Sequence, residues 1–83
     1  MPQEKINELV NLYNQGYFSN LVEKSNQMIE VYPDAYIIWN INGAANKALG
    51  RTNEALLSFR KVINLNPNFP EAHNNLGTVL KDL

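Results

Sequence analysis

The residues that could do chemistry are few and widely spaced. His73 is the single histidine and cysteine is absent, which excludes thiolate nucleophiles, disulfides and multi-histidine metal sites. A general base needs a nucleophile or carboxylate partner, and none is spaced to suggest one beside His73, which we expect to be a half-buried packing residue. Glu4 and Glu8 form an i,i+4 acidic pair that fits a solvated helix face better than a cation site. The sequence therefore predicts no enzyme activity, no metal site and no cofactor.

The overall composition narrows the class of partner. The chain has 83 residues, 45% of them hydrophobic and 18% charged, which suits one globular domain over residues 1–83. Its net charge is −1, without the basic excess typical of nucleic-acid binding, so we expect no nucleic-acid partner. No apolar run is long enough to cross a membrane, and the N-terminus has no apolar signal segment. We therefore expect a cytoplasmic protein without a membrane partner.

The chain repeats itself at an offset of 34 residues. The matching pairs are Gly16 with Gly50, Pro33 with Pro67, Asn40 with Asn74, Gly43 with Gly77, and Lys47 with Lys81. Apolar positions follow the same offset and recur within each repeat at three and four residues, the spacing of an amphipathic helix. This spacing predicts five helices and no strands. Their expected ranges are 3–15, 18–31, 35–48, 52–65 and 70–82.

Glycine and proline mark the ends of the predicted helices. Gly16 and Gly50 each follow a segment of about a dozen residues and can adopt the left-handed conformation that closes a helix. Pro33 and Pro67 stop the second helix of each repeat, because proline cannot continue one. The residues that follow them, Asp34 and Asn68, are expected to start the next helix, with Pro70 in the first turn of the last.

The middle repeat resembles the tetratricopeptide pattern. The residues at its signature positions are Trp39, Asn42, Gly43, Asn46, Ala55, Phe59 and Pro67. The resemblance implies an all-α, tetratricopeptide-type α-solenoid: two and a half helix-turn-helix repeats in a right-handed superhelix, covering about 2–35, 36–69 and 70–83. We expect Gly43 and Ala55 to let their helices approach closely, and Trp39 and Phe59 to be core. Leucines 9 and 21 occupy the small sites of the first repeat, so that hairpin should be splayed.

The resemblance also implies a peptide-binding face lined by the first helix of each pair. On that register the recurring polar residues form rows, with Asn40 beside Asn74 and Lys47 beside Lys81. Asparagine amides can pair with a peptide backbone, and lysines favour an acidic or C-terminal group. The peptide-binding residues predicted in this way are Tyr13, Asn40, Lys47, Asn74, Asn75, Thr78 and Lys81. The face is similar in type to the asparagine-lined solenoid of O-linked N-acetylglucosamine transferase and to bacterial tetratricopeptide proteins, but not to the chaperone-type carboxylate clamp.

Three functions remain open from the sequence. The leading hypothesis is a non-enzymatic module that binds an extended peptide or a partner protein. The second is an N-terminal scaffold segment of a longer enzyme of glycosyltransferase or sulfotransferase type. The third is a self-assembly unit without a peptide ligand, because an apolar stripe on the last helix is expected to pair two chains as a homodimer. That stripe consists of Leu76, Val79, Leu80 and Leu83.

Overall fold

The protein folds entirely as α-helix and connecting turns over residues 3–83, which a computed structural model describes. The helices are α1 Gln3–Asn14, α2 Phe18–Val31, α3 Tyr36–Ala48, α4 Thr52–Leu65 and α5 Pro70–Asp82. No strand occurs within residues 3–83. Each helix packs against its neighbours in sequence, and the turns between them are short, as in a stack of helical hairpins. The predicted all-α class and the five helix ranges are confirmed, which is consistent with a tetratricopeptide-type α-solenoid.

Gly16 and Gly50 close the first helix of each hairpin, as predicted. Their φ angles are 81° and 76°, in the left-handed region that glycine adopts without strain. The residue after each glycine donates its backbone N–H across the helix end, Arg51 to the Asn46 carbonyl at 2.8 Å and Tyr17 to the Leu12 carbonyl at 2.9 Å. This hydrogen bond satisfies a carbonyl that the last helical turn leaves without a partner.

The two proline turns differ from the sequence prediction in detail. Asp34 and Asn68 do not cap the following helices; α3 and α5 are instead preceded by Ala35 and Phe69, whose side chains make no capping hydrogen bond. The reason is that each proline occupies the second position of a four-residue turn, which places Asp34 and Asn68 third. Both turns are closed by backbone hydrogen bonds, Ala35 N–H to Tyr32 O at 3.1 Å and Phe69 N–H to Asn66 O at 3.2 Å.

Most of the buried apolar side chains form two groups. One joins the first hairpin to α3, and its members are Ile6, Leu9, Leu21, Val22, Ile38 and Ala45. The other joins α4 to α5 and contains Ala55, Phe59 and Val79. Phe59 is core, as predicted, but Trp39 is only half-buried, and the core position on α3 belongs to its neighbour Ile38. Trp39 lies across the proline turn instead, where its indole Nε1–H donates to the Pro33 carbonyl at 2.8 Å.

The close approach of α3 and α4 depends on Gly43. A Cβ atom at Gly43 would lie 2.7 Å from Phe59 Cε1, so the Phe59 ring fills the space that a side chain would need. The sequence predicted Ala55 as the residue facing Gly43; the ring of Phe59, one turn further along α4, faces it instead. Helices α1 and α2 pack on one another less extensively than α3 and α4 do, which is consistent with the predicted splaying of the first hairpin. Leu9 and Leu21 are both fully buried.

Candidate functional site

The first helices of the repeats, α1, α3 and α5, line a groove of about 240 Å³, which we call the central groove. It is lined by Val10, Tyr13, Asn40, Ile41, Ala44, Glu71 and Asn75. A larger hollow of about 490 Å³ lies along residues 31–37, but its lining comes from one continuous stretch of chain. Another hollow, of about 370 Å³, lies between α2, α3 and α4. The central groove is the candidate site because its side chains come from the first helices of three successive repeats, the face on which the sequence predicted binding.

A chain of three polar side chains crosses the central groove. The Asn75 amide Nδ2 donates to Asn40 Oδ1 at 3.3 Å, and Asn40 Nδ2 donates to Glu71 Oε1 at 3.4 Å. Both hydrogen bonds are long, and each amide nitrogen carries a second hydrogen. The side chain of Asn40 is only 8% exposed, whereas Asn75 is half-buried and Glu71 is exposed. The arrangement can therefore exchange its weak internal bonds for bonds to a ligand without a large structural change.

The other wall of the central groove is apolar. Val10 and Tyr13 come from α1, one helical turn apart, and their side chains are 40% and 41% exposed. Ile41 and Ala44 lie beside them on α3 and are half-buried. The Tyr13 ring packs edge-on against Phe18, with 5.3 Å between ring centroids, which restricts its position. An apolar side chain of a ligand would find a partly preformed surface here.

The structure brings together three of the seven predicted binding residues. Tyr13, Asn40 and Asn75 line the central groove, whereas Lys47, Asn74, Thr78 and Lys81 are not among its lining residues. Asn40 hydrogen-bonds to Asn75, the residue next to Asn74, and the predicted row of Asn40 beside Asn74 stays a prediction. Asn74 is exposed, and its backbone carbonyl accepts the Thr78 hydroxyl at 3.0 Å within α5. The 34-residue offset places equivalent residues on equivalent helices, but the residue that meets Asn40 is Asn75, one position beyond its repeat equivalent Asn74.

Glu71 is the charged residue of the groove lining, and the sequence prediction missed it. It lies in the first turn of α5, four residues before Asn75, and so on the same face of that helix. The i,i+4 spacing of Glu71 and Asn75 is the sequence feature from which Glu71 could have been predicted. Its carboxylate gives the groove a negative group beside the two amides, while the predicted lysines lie elsewhere.

A second polar cluster, also missed, is buried between α2, α3 and α4. At its centre, Asn42 Nδ2 donates to Ser25 Oγ at 2.8 Å and to Asn26 Oδ1 at 2.9 Å. Asn42 Oδ1 accepts from Ser58 Oγ at 2.8 Å and from Asn46 Nδ2 at 3.1 Å. All four hydrogen-bonding positions of the Asn42 amide are occupied. Because every partner is supplied internally, the cluster joins the helices and offers Asn42 no bond to a ligand.

The one histidine, His73, lies at the surface and contacts the backbone of the second proline turn. His73 is exposed, contrary to the expected half-buried position, and its Nε2 lies 2.8 Å from the Pro67 carbonyl. A carbonyl only accepts, so Nε2 carries the proton, as the Trp39 indole nitrogen does at the equivalent turn.

Glu8 of α1 pairs with Lys24 of α2. The hydrogen bond and charge of Lys24 lower the pKa of Glu8, against a small opposing effect of desolvation.

No group of three or more metal-ligating side chains occurs among residues 3–83. Within the same range, no helix is long and apolar enough to cross a membrane.

The fold and the groove define a helical-repeat protein of the α-solenoid type. The family model for the TPR repeat matches residues 43–83, which include α4, α5 and the later part of α3. This match supports a TPR family, whose repeats generally mediate protein–protein interaction and are typically non-catalytic. No curated protein matches the chain. The similarity to bacterial tetratricopeptide proteins and to O-linked N-acetylglucosamine transferase stays a prediction.

Proposed function

We propose that this protein is a non-enzymatic module that binds an extended segment of a partner protein in the central groove. The observation that carries the proposal is the pairing of an exposed apolar wall with a polar chain across the same groove. Val10 and Tyr13 form the wall, and Asn40, Asn75 and Glu71 form the chain. Extended peptides expose both backbone amides and side chains, and the groove offers a partner for each.

The polar chain determines how a peptide backbone is held. The Asn75 and Asn40 amides supply donors and acceptors that match a peptide unit without selecting a particular side chain. Glu71 adds an acceptor with a negative charge, so it favours a peptide that presents a basic side chain or an N–H group at this point. The binding role of Lys47 and Lys81, in the last turns of α3 and α5 and outside the lining of the groove, stays a prediction. The expected ligand is a segment that presents an apolar residue beside a basic side chain or an N–H group.

The test is selection from a displayed library of random peptides, followed by affinity measurement with purified variants. We expect enriched peptides to lose about tenfold or more in affinity when Tyr13→Ala or Asn75→Ala removes one side of the groove. Asn64→Ala, at an exposed position on α4 outside the groove, is the matched control and should leave affinity unchanged. Peptides that bind the Tyr13→Ala/Asn75→Ala double variant as well as the wild type would overturn the proposal.

The scaffold-segment hypothesis remains compatible with this groove. A module that holds a peptide could serve an attached glycosyltransferase or sulfotransferase by positioning its substrate. Sequencing the full coding region decides this point, because a catalytic domain encoded in the same polypeptide would favour the scaffold role. The cytoplasmic location stays a prediction, which imaging of the tagged full-length protein would test.

Self-association through α5 is the alternative to peptide binding as the function of the protein, and it would use the apolar stripe on that helix. Leu80 and Leu83 are 49% and 64% exposed, which favours the idea, and Leu76 is half-buried. Val79 is fully buried with Ala55 and Phe59 of α4, so of the four predicted residues it offers no exposed surface to a second copy. Light scattering over a range of concentrations tests for a homodimer. Leu80→Lys should dissociate such a dimer.

A further inference from the structure

Asn42 is the only asparagine in the sequence that is followed by glycine. After an asparagine, the side chain of the next residue hinders the backbone nitrogen from approaching the asparagine amide. Glycine has no side chain and leaves the backbone free to turn, so this hindrance is absent at Asn42 and Gly43. In an unfolded chain, the most reactive amide of this protein is therefore that of Asn42.

The reaction open to this pair is spontaneous deamidation, the chemistry that makes asparagine a thermolabile residue. The Gly43 backbone nitrogen attacks Asn42 Cγ, so that a bond forms between them, the bond from Cγ to Nδ2 breaks, and ammonia leaves with the proton of the Gly43 N–H. Water then opens the resulting ring. Attack of water at Cγ gives aspartate, and attack at the main-chain carbonyl gives isoaspartate. In sum, the amide and one water become a carboxyl group and ammonia, and no other reactant is needed.

The folded protein holds both reacting groups in place. Gly43 lies inside α3, where its backbone N–H belongs to the hydrogen-bond ladder of the helix. The Asn42 side chain is 3% exposed, and its four hydrogen bonds reach side chains of α2, α3 and α4. Attack requires the backbone at Asn42 to leave the helical conformation and the amide to leave these partners. Because the partners belong to both helices that flank α3, the amide is released only when the core comes apart.

The product does not fit the buried polar cluster. A carboxylate has no hydrogen to donate, so the bonds from position 42 to Ser25 Oγ and Asn26 Oδ1 would be lost. The Ser25 hydroxyl already donates to the Val22 carbonyl at 3.1 Å, so it would face the carboxylate with its own oxygen. The negative charge would also be buried among uncharged partners, which is strongly unfavourable. Isoaspartate would in addition lengthen the backbone in the middle of α3 and interrupt its hydrogen-bond ladder.

We propose that Asn42 and Gly43 form a deamidation site that the folded structure protects and unfolding activates, and that deamidation there prevents return to the native structure. Deamidation is far slower than the folding and unfolding of a small domain, so its rate follows the fraction of molecules that are unfolded. The site thereby converts reversible unfolding into irreversible loss of the protein. Neither residue lines the central groove, so this proposal does not depend on peptide binding.

Gln15→Asn supplies a matched control within the same molecule, because it adds a second Asn-Gly pair in the exposed turn at Gly16. The 83-residue protein with this substitution is incubated at neutral pH in increasing guanidinium chloride, and deamidation is followed by mass spectrometry of tryptic fragments. Trypsin separates the two pairs, since Lys24 lies between them. Without denaturant, the exposed pair should react faster than Asn42 by about a hundredfold or more. Above the unfolding transition, the two rates should become similar.

Two further variants test the cause and the consequence of the reaction. Leu21→Ala removes a fully buried side chain of α2 that makes no hydrogen bond to the cluster. It should accelerate deamidation of Asn42 in buffer by about thirtyfold or more, the factor by which it raises the unfolded fraction. Asn42→Asp reproduces one product and should lower the melting temperature by about 10 °C or more, or abolish cooperative melting. Asn64→Asp, at an exposed position on α4, is its control and should change the melting temperature little.

Three outcomes would overturn the proposal. The first is a reaction at Asn42 as fast as that of the exposed pair without denaturant, which would mean that the fold gives no protection. The second is a rate at Asn42 that fails to rise through the unfolding transition. The third is a wild-type melting temperature for Asn42→Asp, because a deamidated chain would then refold normally. None of these measurements involves a peptide, so failure of this proposal and failure of the groove proposal give different results.

Discussion

Gly43 lies against the ring of Phe59 so closely that a single methyl group would not fit between them. A Cβ atom on Gly43 would be 2.7 Å from Phe59 Cε1 and 2.9 Å from Cδ1. The ring is fully buried, so it cannot move aside into solvent. Contact between a helix backbone and an aromatic ring is therefore what brings α3 and α4 together.

The same substitution at two equivalent glycines should have opposite effects on stability. Gly43→Ala should lower the free energy of unfolding by about 1–2 kcal/mol, because overpacking outweighs the gain in helix propensity. Gly77→Ala should raise it by up to about 1 kcal/mol, because nothing opposes the gain. Thermal unfolding followed by circular dichroism measures both. A stabilising Gly43→Ala would show that α3 and α4 are further apart than described here.

Truncation of the two signature aromatics should cost unequal amounts. Phe59→Ala should lower the free energy of unfolding by about 3–5 kcal/mol, which is enough to unfold much of a small domain. Trp39→Phe keeps a ring but loses the hydrogen bond to Pro33 and part of the ring over which Lys61 Nζ lies at 5.9 Å, so we expect a loss of about 1 kcal/mol. Urea denaturation compares the two variants. Equal losses would mean that Trp39 is core after all, as the sequence predicted.

Removal of Asn42 should disrupt the buried polar cluster. Asn42→Ala leaves Ser25, Ser58 and Asn46 without the partner that they share, and should cost about 2–3 kcal/mol. Asn64→Ala, an exposed asparagine on α4, is the control and should have little effect. Replacing the cluster by apolar residues, with Ser25→Ala, Asn42→Leu and Ser58→Ala together, should recover much of the loss. No recovery would mean that shape, rather than hydrogen bonding, maintains these helices.

The ion pair between α1 and α2 should make a small contribution that depends on pH. The hydrogen bond and charge of Lys24 hold the pKa of Glu8 below its usual value. Because the native pKa is below that of the unfolded chain, the contribution is present at neutral pH and is lost as the pH falls through the native pKa. NMR titration of the Glu8 carboxyl should show its pKa rising towards the usual value in Lys24→Gln. Lys5→Gln, which removes a weaker attraction, should raise it less.

The sequence predicted the helices better than it predicted their contacts. Helix ends follow from local rules: Gly16 and Gly50 must supply a positive φ, and Pro33 cannot continue a helix. Which residue of a helix faces a neighbour depends on the rotation of that helix, and an error of one position moves a side chain by about 100° around the axis. This explains why Ile38 is core instead of Trp39, and why Asn75 reaches Asn40 instead of Asn74.

The buried polar cluster could not be predicted from residue types alone. Asn42 and Asn46 are spaced i,i+4 on one face of α3, and in isolation two asparagines there suggest poor packing of that helix face. The serine partners of Asn42, Ser25 and Ser58, lie 17 and 16 residues away on two different helices. Only the three-dimensional arrangement shows that the polar groups satisfy one another. Glu71 is a different case, because its i,i+4 spacing from Asn75 was visible in the sequence.

Helix α3 packs against all four of the other helices, and this has a consequence for the order in which the molecule opens. Amide hydrogens exchange with solvent through local unfolding, and the last segment to open is the one whose release requires every neighbour to separate. Amides in the middle of α3 should therefore exchange most slowly, at a rate set by global unfolding. Those of α1 and α5 should exchange first, although both helices border the central groove. A bound peptide that bridges them would slow this exchange, so hydrogen exchange with mass spectrometry would detect a ligand as protection at the two ends of the molecule.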